Sequence, residues 1–167
     1  MHAIFIATNI EEKLRKAGDI VLLSQLAYNL YSSVTSGRKA ASRDLKELED
    51  VLFSLRCALD HLKDVANELL ARSDDRLRHG GAPFREKLDH ILNSCGKTLQ
   101  ELDDMTKKYR EIVIEEPGSA KKGVHDRLRV SWWKIRWDQE RQSLQQYREK
   151  LRSHTDAISI ILMAVTW

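Results

Sequence analysis

The sequence predicts an all-α fold, an antiparallel up-down four-helix bundle with an extra short helix before the last helix. Three observations lead there. Leu45, Leu48, Leu52, Leu55, Leu59, Leu62, Ala66 and Leu69 alternate steps of three and four residues. That spacing lines one side of an α-helix, and no strand can use it, because strand faces repeat every two residues. Two further stretches carry similar stripes, and short breaks containing Gly or Pro separate them, although the chain has only two prolines and seven glycines.

The first helix is predicted from about Asp19 to Val34. Gly18-Asp19 offers a break and an N-cap, and Ile20, Leu23, Ala27, Leu30 and Val34 form the inner face. Gly37 punctuates the chain. Ser42-Arg43-Asp44 opens the second helix, which carries the leucine stripe and ends at Leu70 or Arg72. Its outer face alternates Lys46, Glu47, Glu49, Asp50, Arg56, Asp60, Lys63, Asp64 and Glu68.

Pro83 is placed at the start of the third helix, whose stripe is Phe84, Leu88, Ile91, Cys95, Leu99, Leu102, Met105, Tyr109 and Ile112. Gly96 lies within it, at a cost of about 1 kcal/mol relative to Ala unless it lets another helix approach. Glu115-Glu116-Pro117-Gly118-Ser119 is a clear stop. Val124, Leu128, Trp132 and Ile135 fit the extra short amphipathic helix. The final helix is predicted from about Asp138 onward, with Leu144, Tyr147, Leu151, His154, Ile158, Ile161 and Val165 turned inward. No strands, repeats or second domain are expected.

With 167 residues, 32% charged and 42% hydrophobic, the chain suits a single helical domain over residues 1–167, preceded by an N-terminal segment at 1–17. The composition excludes collagenous and generally disordered classes. Ala157 to Val165 is apolar almost all round, a pattern of helices buried among partners. The end at Trp167, inside that run, predicts the front part of a longer protein. No segment approaches the roughly 18 to 20 apolar residues needed to span a bilayer. Cys57 and Cys95 lie on or beside the stripes and read as buried free thiols. They form neither a metal pattern nor a disulfide framework, which fits a reducing, cytoplasmic setting.

Recognisable reaction chemistry is missing from the sequence. Neither GxxxxGK[ST] nor GxGxxG occurs. His61, His79, His90, His125 and His154 are dispersed, and the Asp60-His61 and Asp89-His90 neighbours diverge around a helix. Ser94-Cys95 has no elbow glycines and no assignable base. The pairs Asp74-Asp75, Asp103-Asp104 and Glu115-Glu116 read as solvated surface charge. No enzyme, cofactor or small-molecule substrate is expected; a closed polar pocket containing His154 is the observation that would reopen an enzymatic reading.

Charge is unevenly placed. Residues 1–119 hold 18 Lys and Arg against 20 Asp and Glu, whereas residues 120–152 hold 10 against 4. Within the basic third, Lys121, Lys122, Arg127, Arg129, Lys134 and Arg136 are interleaved with Trp132, Trp133 and Trp137. One reading has one or two Trp capping the end of the bundle while the cations face water. Others are contact with anionic lipid, through phosphates and interfacial indoles, or with a protein partner; nucleic acid is disfavoured. The apolar Ile4, Phe5 and Ile6 either pack or form a membrane-dipping tip, and Glu11 and Glu12 follow closely.

Four stretches carry a family resemblance. Gly18 to Tyr31, in the order Gly-Asp, apolar run, aromatic, resembles an opening helix. Asp44 to Leu62 resembles a second helix rich in Leu and acidic residues. Ile91 to Leu102, with Lys107-Lys108-Tyr109, resembles a "C-x₃-L-x₂-L … KY" helix, and Arg152 to Ile158 a closing helix. Together, over residues 15–166, they resemble the helical N-terminal domain of fungal NLR-like (STAND) and ankyrin-repeat proteins, of the HeLo-like bundle type. The resemblance implies a cytoplasmic signalling module of fungal immunity-like or incompatibility proteins, working by self-association or through another protein. It also raises an alternative, a membrane-associating cell-death effector peripheral to anionic membranes. The seven-residue apolar run here is shorter than the hydrophobic segment that such effectors are thought to use. The family supplies no catalytic residues.

Overall fold

A computed structural model describes the backbone of residues 2–37, 43–72, 76–112, 128–130, 132, 135–140 and 142–166. Among these residues four helices, α1 (His2–Gly37), α2 (Arg43–Arg72), α3 (Arg76–Lys107) and α4 (Leu144–Thr166), pack against one another. Between α3 and α4, β1 (Arg110–Ile112) and β2 (Leu128–Val130) form an antiparallel pair in which Arg110 faces Val130, Glu111 faces Arg129 and Ile112 faces Leu128.

The leucine stripe does what its spacing requires. Leu48, Leu52, Leu55 and Leu59 are fully buried, and Leu45 and Leu62 nearly so; each buried Leu stabilises the fold by roughly 2 kcal/mol. They meet Ile20, Ala27, Leu30 and Val34 of α1, Cys95, Leu99 and Leu102 of α3, and Leu151, Ile158 and Ile161 of α4 in one core. Helix α1 packs on α2, α2 on α4, and α3 on both α4 and α1. Contacts between α1 and α2 run in reverse order. Thr35 donates to Glu49 at 3.1 Å, Tyr31 packs on Phe53 at 5.6 Å, Tyr28 lies 4.4 Å from the Arg56 guanidinium, and Ser24 donates to Asp60.

Several expectations are corrected. Helix α1 begins at His2, not near Asp19, and continues through Gly18. A glycine weakens a helix by about 1 kcal/mol but does not stop it, and a Cβ at Gly18 would meet nothing within 4 Å. Helix α3 starts at Arg76, leaving Pro83 inside it; proline's fixed φ is helical, so the backbone loses one hydrogen bond and can continue. The same helix ends at Lys107, and Lys108 and Tyr109 form the turn that leads into β1. Strands appear where none was expected, and the extra short helix is replaced over Leu128–Val130 by β2. Val124 and the expected stop at residues 115–119 lie outside the described residues.

Helix α4 starts at Leu144, not Asp138, because Ser143 and Gln146 form a reciprocal cap. The Gln146 amide donates to Ser143 Oγ at 3.2 Å, and the Ser143 amide donates to Gln146 Oε1 at 2.8 Å. Gly96 marks the close approach of α1 to α3. A Cβ there would lie 3.1 Å from Leu23 Cδ2.

Candidate functional site

The basic tryptophan segment is divided by the fold. Trp132 is 1% exposed and belongs to the core. Its Nε1 donates to Ser33 Oγ at 3.2 Å, and that hydroxyl donates in turn to the Leu30 carbonyl at 2.8 Å. A buried indole N–H needs such a partner. Trp132 stacks on Trp137 with ring centroids 6.5 Å apart, and Trp137 meets the Tyr147 ring edge-on at 6.2 Å. Trp132 is thus a core residue, as the reading with Trp capping the end of the bundle requires of one or two of these rings. Trp137 is half-buried against it, and Arg136 is exposed and paired with Asp138 at 3.4 Å.

Polar contacts fasten this segment to the helices. Glu140 accepts from Tyr109 Oη at 2.6 Å and from Lys108 Nζ at 3.2 Å, and Gln142 donates to Glu101 at 2.9 Å. The Tyr109 hydroxyl, chiefly, holds the Glu140 carboxyl below its usual range; the same bond raises Tyr109. Lys121, Lys122, Arg127, Trp133 and Lys134 lie outside the described residues, as do the side chains of Ile4, Phe5, Ile6 and Arg129, whose backbones lie in α1 and β2. The structure thus brings Trp132, Arg136 and Trp137 together at one end of the core.

A second aromatic cluster was not anticipated. On the face shared by α1 and α2, Phe53 is 47% exposed and Tyr28 41% exposed. Tyr31 tilts against Phe53, and the Arg56 guanidinium covers Tyr28, a cation–π contact that pre-orders the long side chain. Asp60 lies 3.6 Å from both Arg56 and Lys63 while accepting from Ser24. The carboxylate is engaged by two cations and no imidazole stands between it and the hydroxyl, so this pair is a structural tie and not an activated nucleophile. The sequence signal was the placement of Phe53 among charged residues of the outer face.

Aliphatic side chains are exposed elsewhere. Leu22 is 68% and Ile160 62% exposed, with Val21 and Met163 near half. Two grooves flank α3. One of about 640 Å³ separates it from α4, with Lys87, His90, Ile91, Ile160 and Ile161 in its walls. Another, of about 360 Å³, separates it from α1 beside Leu22 and Asp89.

His154 lines neither groove. It is half-buried, its Nε2 2.9 Å from Thr98 Oγ1, and burial, with a smaller contribution from Lys150, lowers its pKa. Thr98 Oγ1 also lies 3.2 Å from the Ser94 carbonyl. If the hydroxyl donates there, the imidazole donates to it. Cys95 is buried as expected, and desolvation pushes its thiol up to about 12, far from thiolate reactivity. Cys57 is exposed, correcting the expectation of burial; it falls on the outer side of α2, four residues after Phe53. Among the described residues no group of three or more His, Cys, Asp or Glu could hold a metal ion, and no helix is long and apolar enough to cross a membrane.

Comparison with protein-family profiles, with curated proteins and with solved structures finds no match to this chain.

Proposed function

We propose that this chain is a non-enzymatic association module, an antiparallel up-down four-helix bundle that acts by binding itself or another protein. The observation behind this reading is the set of large apolar side chains left outside a filled core, above all Phe53 and Tyr28 beside Arg56. Aromatic residues and arginine are the types enriched where proteins meet. The reversed contact order of α1 and α2 supports the up-down arrangement. So does the seating of α3 against α4, with Thr98 at His154 and Lys87 near Ile160.

The resemblance to fungal NLR-like and HeLo-like domains supports a place in immunity-like or incompatibility signalling, with a cytoplasmic location. The alternative, a membrane-associating effector, draws on the exposed Leu22, Ile160 and Met163 and on Arg136. Burial of Trp132 removes one of its interfacial anchors. Sedimentation velocity over a wide concentration range, with flotation on anionic and neutral vesicles, tests the two. Concentration-dependent self-association without vesicle binding is expected. A monomer at every concentration that binds anionic vesicles in a salt-sensitive way would replace association with the membrane reading.

A further inference from the structure

We propose that the α1–α2 face docks a second copy of this chain across a two-fold axis at Phe53. This rests on the association reading and names the partner and the surface. The argument comes from the order of charges along the outer side of α2. Asp50 stands three residues before Phe53 and Arg56 three after; Lys46 stands seven before and Asp60 seven after. Positions three, four and seven apart share one helix face. Asp50 and Arg56, and Lys46 and Asp60, are therefore two pairs of opposite charge placed symmetrically about Phe53.

A two-fold contact makes residue i meet residue j of the second copy and j meet i. Two α2 helices crossing antiparallel at Phe53 place Lys46 opposite Asp60, and Arg56 opposite the Glu49-Asp50 pair. Parallel crossing would set Lys46 on Lys46 and Asp50 on Asp50, a repulsive match. The face thus contains its own complement, which favours a second copy over an unrelated protein. Phe53 and Tyr28 supply the apolar centre, and Arg56, already held over the Tyr28 ring at 4.4 Å, loses less freedom on docking than a free arginine would. The groove between α3 and α4 has no such pattern.

The test uses the whole chain. In a Cys57→Ser background, Phe53→Cys places a thiol on the proposed axis, while Cys95 is buried. Mild oxidation is expected to give a disulfide-linked dimer, whereas Ile160→Cys in the same background should give no disulfide-linked dimer. Asp50→Arg and Arg56→Asp should each weaken self-association by about tenfold, and the combined swap should restore it to within about threefold of wild type. Circular dichroism checks that each variant folds. Crosslinking at position 53 together with rescue by the swap would establish the face. Wild-type self-association with neither result would overturn this interface while leaving the association reading intact. A wild type that stays monomeric at all concentrations would overturn the second copy as partner.

Discussion

Two aromatic clusters of similar make-up sit in opposite places. Trp132, Trp137 and Tyr147 turn inward at the junction of α1, α4 and the segment between β2 and α4. Tyr28, Tyr31 and Phe53 lie on the outside of the α1–α2 pair, with Arg56 against them. Both combine rings with nearby basic residues, so composition alone does not tell them apart. The inner cluster is reached by the segment between β2 and α4, whose Trp132 and Trp137 fold back against the core. The outer one stands on helices whose inner faces are already occupied, so its rings have no interior left to enter. Aromatic residues beside cations therefore mark an interaction surface only where the core beneath is complete.

Truncation should separate the clusters most sharply. Trp132→Ala is expected to cost roughly 3 to 5 kcal/mol, the range for removing a large buried ring, read from the midpoint of chemical unfolding. Phe53→Ala should leave that midpoint nearly unchanged, within about 1 kcal/mol. Equal losses at the two positions would break the comparison.

A smaller effect should come from the contacts that fasten the inner segment. Glu140→Gln removes the charge from the carboxylate that receives Tyr109 and Lys108, and roughly 1 to 2 kcal/mol is expected to be lost. Intrinsic tryptophan fluorescence would report whether the inner rings loosen. Wild type carries the same signal in its pH dependence. The folded pKa of Glu140 lies below its ordinary 4.5, so the contribution is full above that value and fades as pH falls through the folded one. Tyr109 is raised above its ordinary 10.0, so the contribution also fades as pH rises through its folded value. A plateau bounded on both sides is expected, and Glu140→Gln should flatten its acid edge.

His154 gives a shallower slope closer to neutrality. Its folded pKa is lowered from 6.5, so the unfolded chain takes up its proton first, and stability should decline as pH falls through 6.5 toward the folded value. His154→Gln should remove that slope with little change at pH 7.5. A slope unaltered in the variant would assign it to another group.

The smallest expected effect concerns two helical glycines. Gly18→Ala meets open space and should stabilise the fold by about 0.5 to 1 kcal/mol through helix propensity alone. At Gly96 the same gain is offset by the contact with Leu23 Cδ2, so Gly96→Ala should be close to neutral. A larger gain at Gly96 than at Gly18 would mean that Leu23 moves aside freely.

Much of the fold was legible. The predicted second helix matches α2 closely, because an uninterrupted three-four alternation leaves one way to bury its leucines, six of which, Leu45 to Leu62, are buried. The start of α4 is also written in the chain, as the capping box Ser143-Leu144-Gln145-Gln146, which outweighs the upstream Asp138 as the helix start. Cys57 and Cys95 differ in exposure although both lie on or beside a stripe. One is displaced from the stripe by a small rotation and meets water, whereas the other lies on the stripe and is sealed.

The sequence by itself determined which residues face the core of each long helix, since helical periodicity is a local property that neighbouring side chains impose on one another. Tertiary structure alone decided the hairpin, the burial of Trp132 and the outward placement of Phe53. Three-residue strands contain too little alternation to read. A ring's environment is set by residues far away in the chain, such as Ser33 for Trp132 and Tyr31 for Phe53. Those partners come within reach only after the helices have packed.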